Sequence, residues 1–421
     1  VAKVSSKLFK LWIRIDAIMK TLLLMACLAA CTALTAPDSR KSESSAGPLK
    51  TGAEQTEKYF PLLKGKRIAL LANPTTIIGH RHLVDSLQSA GFDIKKIFGP
   101  EHGFRGNASN GAKVKDEIDA ATGLKLISLY GAKRKPGAEE LADVDIVIFD
   151  IQDVGCRFYT YINVLRDVME GCAEQGKELL VLDRPNPNGY LVDGPILDMK
   201  LKSGIGQFPI PIAHGMTIGE FAQMINGEHW LPNNLQCKLT VIPLANYNHN
   251  MAYTLPVPPS PNLNTQQSIL LYPSICLFEG TIISQGRGTD SSFTVLGAPL
   301  LKGKYDFSFT PRSIPGKSET PLHMGEACYG LNLYQYDTDK LRKSGKLALG
   351  WMMELYKAYP DKARFFDMSQ SKQMGNIDKL AGVTAFKEQI VAGVDEKTIR
   401  ASWEPGLSTY KKMRKKYLLY P

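Results

Sequence analysis

From Arg67 onward, short apolar runs alternate with segments whose apolar side chains recur at helical spacing. Residues 67–72 form an apolar run of strand length, and residues 83–90 carry helical spacing that Gly91 stops. Runs at 94–98, 125–129, 146–149 and 178–182 repeat the strand signature, and 163–175 separates the last two as a helix ended by Gly176. Strands alternating with helices predict an α/β fold with a doubly wound, mostly parallel sheet. Dinucleotide binding does not follow, because Asn73-Pro74-Thr75-Thr76 stands where a Gly-x-Gly-x-x-Gly turn would join the first strand to its helix. Beyond about residue 268 the pattern is less regular. Residues 341–359 have helix-like spacing with Trp351, Met352, Leu355 and Tyr356 on a core face, and Phe365-Phe366-Asp367 followed by 375–390 predicts a turn and a further helix.

The N-terminal pattern is of another kind. Met19-Lys20 precedes an apolar run over 22–30 that ends Leu28-Ala29-Ala30-Cys31, too short to span a bilayer and followed by small residues, as in a secretory signal. The small residues abutting Cys31 predict a lipoprotein signal over 1–31, with lipid attached to the Cys31 thiol and residues 1–18 lying upstream of the signal or lengthening its basic end. Residues 32–56, rich in Ser, Ala, Lys, Pro and Gly, read as a flexible tether. What remains exceeds the usual size of one core, which predicts two domains, here bounded as 57–267 and 268–421.

Charge and cysteine content exclude several classes. The net charge of +10 includes Lys3, Lys7, Lys10, Arg14 and Lys20 against Asp16 in the first thirty residues, so the rest carries about +6. Much of that lies in 411–416, which reads as a solvated helix end, and nothing resembles a nucleic-acid module. Cys156, Cys172, Cys237, Cys276 and Cys328 contain no Cys-x-x-Cys pair, which argues against a disulfide framework and a structural zinc site.

The candidate chemistry follows the strands. The run at 94–98 leads into Gly99-Pro100-Glu101-His102-Gly103-Phe104-Arg105-Gly106, which places an acid, an imidazole and a guanidinium at a strand's carboxyl end, where open α/β sheets bind ligands. The run at 146–149 leads into Asp150-Ile151-Gln152-Asp153-Val154-Gly155 with Arg157, Tyr159 and Tyr161, and 178–182 leads into Asp183-Arg184-Pro185-Asn186. A single strand-end Asp is commonly a cap, but three strand ends carrying carboxylates and arginines point to one cleft. His214 precedes a capping box, Thr217 to Glu220, that makes Glu220 structural. Asn262 and Asn264 lie in a proline-rich turn, and Glu279-Gly280-Thr281 is followed by Gly286-Arg287-Gly288. Amides, tyrosines and arginines around carboxylates suit sugar recognition, because hydroxyls need directional partners and a pyranose has an apolar side for aromatic faces.

These motifs, spread over residues 65–421, resemble the NamZ-type family of exo-β-N-acetylmuramidases. The most specific are Gly99-Pro100-Glu101-His102-Gly103, Asp150-Ile151-Gln152-Asp153-Val154-Gly155 with Arg157 and Tyr159, Asp183-Arg184-Pro185-Asn186-Pro187, and Glu279-Gly280-Thr281 with Gly286-Arg287-Gly288-Thr289. The resemblance implies a Rossmann-like catalytic domain, a smaller C-terminal α/β domain and a cleft between them. It also implies release of N-acetylmuramic acid from non-reducing ends of peptidoglycan fragments, without a cofactor. A lipid anchor at Cys31 would place such an enzyme in the cell envelope, facing the periplasm or exterior.

Both the resemblance and the local chemistry favour Glu101 as proton donor to the leaving oxygen, with His102 tuning that proton or binding the sugar. Asp150, Asp153 and Glu279 are candidates for a second catalytic carboxylate, and the substrate's own 2-acetamido oxygen offers a third route. Arg105, Gln152, Tyr159, Tyr161, Asp183, Asn186, His214, Asn262 and Asn264 are candidate sugar-binding residues. Muramic acid carries a lactyl carboxylate, so Arg157, Arg184 or Arg287 is expected to meet it in bidentate fashion. Two other classes fit the same residues: a metal-dependent peptidoglycan hydrolase or amidase using His102, Asp150, Asp153 or His214, and a non-catalytic sugar-binding lipoprotein. No His-x-x-x-His cluster supports the first, and no Gly-x-Ser-x-Gly elbow supports a serine hydrolase.

Overall fold

In chain order the strands of the N-terminal part are β1 (Arg67–Ala72), β2 (Ile77–Ile78), β3 (Arg81–His82), β4 (Asp93–Gly99), β5 (Glu117–Ile118), β6 (Lys125–Ser128), β7 (Ile146–Asp150), β8 (Glu178–Leu182), β9 (Val192–Asp193), β10 (Ala213–His214) and β11 (Lys238–Ile242). Seven of them form one sheet in the order β11-β8-β7-β1-β4-β6-β5. All neighbours in it are parallel except β5, which runs against β6. The computed structural model that shows this describes residues 47–101, 103–104, 117–131, 133–368 and 376–421. Cys31, His102 and Arg105 lie outside the described residues.

The predicted strands are present because each is apolar on both faces. β7 is buried along its whole length, and β1 is buried from Ile68 to Ala72. The sheet's two faces feed separate apolar cores, with Phe98, Val147 and Phe149 in one and Ile68, Leu70, Ile97 and Ile148 in the other. Helices Leu83–Ser89 and Tyr161–Glu174 match the predicted ones within two residues, and Gly91 and Gly176 both adopt positive φ past their ends. β11 carries no strand signal in the sequence. It is an edge strand whose burial alternates along Lys238-Leu239-Thr240-Val241-Ile242, so it never forms a continuous apolar run.

The C-terminal part is a second, smaller α/β domain. Its antiparallel sheet, in the order β12-β14-β13, joins β12 (Val295–Ala298), β13 (Ser308–Phe309) and β14 (Cys328–Asn332). The helix expected over 341–359 is two helices, Asp339–Ser344 and Gly350–Ala358, because Gly345 takes the left-handed conformation and stops the first. Trp351, Met352 and Leu355 are buried as expected, and Tyr356 is only partly so. The last helix, Glu396–Arg414, and the residues after it return to the sheet domain: Tyr410 donates to the His214 carbonyl at 2.8 Å, and the Tyr420 hydroxyl reaches Asp183 at 2.5 Å. The basic helix end is therefore partly engaged, with Arg414 bonded to the Gly215 carbonyl and Lys416 paired with Glu228.

Residues 50–55, within the stretch expected to be a tether, are packed on the fold. Lys50 already bridges to Ala245, and Thr51, Ala53 and Gln55 are buried. The small residues here permit close approach: a Cβ on Gly52 would stand 2.5 Å from the Asp183 amide nitrogen and 2.6 Å from the Ile242 carbonyl oxygen. The five body cysteines are buried free thiols, and no helix among the described residues is long and apolar enough to cross a membrane.

Candidate active site

The chain builds β1, β4 and β6 outward on one side of β1, then returns to lay β7, β8 and β11 on the other. That order makes the carboxyl ends of β1 and β7 the switch point, where open α/β sheets place their ligands. Ala72 pairs with Asp150 across it. The two following loops are tied together there by side chains. Asn73 Oδ1 accepts from the Thr75 amide at 2.9 Å, Thr75 Oγ1 accepts from the Gln152 amide at 3.0 Å, and Thr76 Oγ1 donates to the Asp150 carbonyl. A phosphate-cradling glycine loop is replaced by a hydrogen-bonded turn.

One strand over, β4 ends in Gly99-Pro100-Glu101. The Leu129 amide donates to the Gly99 carbonyl at 2.9 Å, and Gly103, at φ +73, turns the chain back with its amide on the Pro100 carbonyl. This leaves Glu101 half-buried at the sheet's carboxyl edge. A hydroxyl from a neighbouring loop meets it: Thr160 Oγ1 donates to Glu101 Oε2 at 3.2 Å. Burial first, then Glu101, pushes the Tyr130 phenol up to about 12, so that hydroxyl stays a donor at physiological pH. The role of Thr160 is marked by no motif; its signal is its place just before the helix Tyr161–Glu174.

The other strand-end carboxylates are sealed. Asp150 is fully buried and grips Arg184 in bidentate fashion, at 2.6 Å from Nε and 2.8 Å from Nη2. Burial pushes the Asp150 carboxyl up, and the Arg184 guanidinium opposes it. Arg184 spends its remaining reach on the Ile77 carbonyl. Asp183, also fully buried, accepts from its neighbour's amide, Arg184 N, at 3.0 Å, from the Gly219 amide at 2.8 Å, from Thr217 Oγ1 at 2.7 Å and from Tyr420. It thus holds the start of the helix Ile218–Gly227 and the chain's C-terminal end on the sheet. Burial nevertheless pushes Asp183 up to about 7. Glu220 closes the expected capping box and also accepts from the Leu419 amide and faces His249 Nε2 at 2.9 Å.

Asp153 and His214 come together inside the protein. Asp153 Oδ2 accepts from the Gly155 amide at 2.7 Å and lies 3.5 Å from His214 Nε2. Gln152 ties its own loop to the next through the Asp153 and Pro185 carbonyls, and Asn186 holds the Met216 carbonyl. Arg157 is buried with no carboxylate beside it among the described residues. It donates to the carbonyls of Pro195, Ile210 and, from the C-terminal domain, Leu380, and burial pulls its guanidinium down to about 9. It clamps the two domains.

The C-terminal domain brings Glu279 and Arg287, which form an ion pair at 2.6 Å with Arg287 also lying over the Phe293 ring. Edge-to-face contacts run from there through Tyr272 and Tyr159 to Tyr161, so an aromatic strip joins the Arg287 pair to the neighbourhood of Glu101. The Tyr159 and Tyr161 hydroxyls both donate to the Pro259 carbonyl, at 2.9 and 3.3 Å. Asn262 is spent on the Lys317 carbonyl and Ser292, while Asn264 Oδ1 is buried without a partner among the described residues. No three His, Cys, Asp or Glu side chains converge in a metal-holding group among the described residues.

This arrangement has relatives along nearly its whole length. The family model described as exo-β-N-acetylmuramidase NamZ, N-terminal, matches residues 68–267, and the corresponding C-terminal model matches 270–420. The chain belongs to the NamZ family of exo-β-N-acetylmuramidases. It is a glycoside hydrolase. The peptidoglycan β-N-acetylmuramidase NamZ of Bacillus subtilis is 39% identical over 405 residues, covering 92% of this chain and 95% of the relative. Two crystal structures of DUF1343-family proteins from Bacteroides fragilis share the fold. One matches with a TM-score of 0.81 at 46% identity and the other with 0.74 at 29%, each covering 89% of this chain and 99% of its own.

Proposed function

We propose that the protein removes N-acetylmuramic acid from the non-reducing ends of peptidoglycan fragments, with Glu101 protonating the leaving glycosidic oxygen. The observation that carries this is the contrast in burial among strand-end carboxylates. Of Glu101, Asp150 and Asp183, Glu101 alone is not buried, and it accepts a hydrogen bond from Thr160 Oγ1. A general acid must reach the oxygen it protonates.

The remaining half of the reaction belongs to the substrate in this reading. Asp150 and Asp153 are sealed, and Glu279 Oε1 is held by both Nε and Nη2 of Arg287. The 2-acetamido oxygen attacks the anomeric carbon as the bond to the leaving oxygen breaks and Glu101 delivers its proton to that oxygen; water then opens the cyclic intermediate. Cys31 as a lipidated residue, an envelope location facing the periplasm or exterior, and a part in cell-wall turnover complete the proposal. Their support is the apolar run ending at Ala29-Ala30-Cys31 and a substrate that lies outside the cytoplasm.

The test is a pair of disaccharides, one with N-acetylmuramic acid and one with N-acetylglucosamine at the non-reducing end, offered to wild type and Glu101→Gln. Cleavage of the muramic compound alone, abolished in a folded variant, is the expected result. Binding without cleavage by wild type would replace this reading with sugar capture.

A further inference from the structure

The three arginines expected to read a substrate carboxylate are committed to groups of the protein itself: Arg157 to three carbonyls, Arg184 to Asp150 and Arg287 to Glu279. An uncommitted cation stands in the C-terminal domain, on the wall of a groove of about 560 Å³, within the roughly 300–1,000 Å³ of small-molecule sites. The walls come from the helix Gly350–Ala358, from residues 362–367 and from the helix Ala385–Val391, and they share no residue with the Glu101 site.

Two aromatic rings line the groove. Tyr356 and Phe366 are half-buried and stack with centroids 5.9 Å apart and planes 26° from parallel, and the Tyr356 hydroxyl makes no hydrogen bond among the described residues. Lys362 spends its ammonium on the carbonyls of Tyr356, Lys357 and Tyr359. Lys387 does not: its ammonium stands 5.9 Å from the centre of the Phe366 ring and makes no ion pair or hydrogen bond among the described residues. Asp367 sets one carboxylate against these two lysines, and Val391, exposed, adds an apolar lip.

Rings, a hydroxyl and an unpaired ammonium in a hollow fit a pyranose that carries a carboxylate. The sugar's apolar side lies on aromatic carbon, its hydroxyls take directional partners, and the carboxylate gives the ammonium a counter-ion. A lipid surface meets the same charge and apolarity, but it needs side chains that reach into the headgroup region, whereas Tyr356, Phe366 and Lys387 are half-buried along a concave wall. We propose that this groove is a second carbohydrate site, which holds an inner N-acetylmuramic residue of a peptide-free glycan strand through its lactyl carboxylate and so keeps the enzyme on polymer. This rests on the peptidoglycan reading of the substrate. A disaccharide held at Glu101 has no inner residue to offer the groove.

The experiment uses the full chain as wild type, Lys387→Ala and Val391→Asp, the second placing a repelling charge at an exposed position. Cleavage is measured on the muramic disaccharide, on soluble peptide-free glycan strands and on the same strands with their carboxyl groups converted to primary amides; strand binding is titrated calorimetrically in a Glu101→Gln background. Lys387→Ala is expected to lower kcat/KM on the acid strands about tenfold, the effect of one lost charge-assisted hydrogen bond, with the loss on KM. Val391→Asp should act in the same direction, and both variants should match wild type on the disaccharide and on the amidated strands. Equal loss on strands and disaccharide, or no loss on strands, would overturn the assignment. If wild type cleaves nothing, the muramidase reading fails by itself and the titrations decide on the groove: strand binding that both variants weaken upholds it, and binding that neither changes, or none at all, removes it. Vesicles of phosphatidylglycerol and phosphatidylethanolamine are the control, and a hold on vesicles that Lys387→Ala releases, with strand binding unchanged, would make the groove a membrane contact instead.

Discussion

Three strand ends at the same edge of the sheet use acidic residues in opposite ways. After β7 and β8, Asp150 and Asp183 are withdrawn from solvent and tie together elements distant in sequence: Arg184 to β7, and Tyr420 with the helix Ile218–Gly227 to β8. After β4, Glu101 is half-buried and accepts from the Thr160 hydroxyl. A carboxylate at a strand's end is thus no mark of catalysis by itself. What surrounds it decides how its lone pairs are spent.

The sharpest way to separate the two sides is Glu101→Gln, which should reduce kcat by about 10²- to 10⁴-fold while leaving thermal unfolding unchanged. Asp150→Ala should do the reverse. It strands the Arg184 charge in the interior and is expected to cost about 3–5 kcal/mol in urea unfolding. Adding Arg184→Met to Asp150→Ala should recover part of that stability, because no buried charge is then left alone; a double variant less stable than the single would break the account of this pair.

Asp183 refines the comparison through pH. Its folded-state value, about 7, stands above the ordinary carboxyl value near ~4. Between those values the folded protein holds a proton that the unfolded chain has lost, so this group makes stability fall as pH rises from about 4 to about 7. Asp183→Asn should fold, since its amide can donate to the Thr217 and Tyr420 hydroxyls while its oxygen still accepts from the Arg184 and Gly219 amides. Urea midpoints across that window should be flatter in the variant than in wild type, and parallel curves would count against a protonated Asp183. The smallest expected effect is at the crossing beneath Asp183, where Gly52→Ala pushes a methyl group against backbone and should cost about 1–3 kcal/mol in the same assay.

The contrast also shows what could be read from the chain and what could not. The parallel strands were legible because burial on both faces leaves continuous apolar runs, as in Ile146-Val147-Ile148-Phe149; β11 was not, because one edge and face are partly exposed. Gly345 splits a helical pattern whose spacing continues across it. At the site, the chemistry of Glu101, Asp150, Asp183 and their arginines was visible, but their partners were not. Asp150 and Arg184 are 34 positions apart, and Arg157 reaches Leu380 across 223. Only strand order and the return of the C-terminal domain bring such groups together. Thr160 went unmarked for the same reason: a hydroxyl acquires its meaning from the carboxylate it faces.

The central claim, that Glu101 gives its proton to the leaving group, is tested most directly by varying that group. Wild type and Glu101→Gln would be compared on N-acetylmuramic acid linked to a sugar and on N-acetylmuramic acid linked to a strongly acidic phenol, which departs without protonation. The account predicts that Glu101→Gln loses nearly all cleavage of the sugar-linked compound and keeps much of its rate on the phenol-linked one. Equal loss on both would contradict it, and would make Glu101 a binding residue rather than the acid.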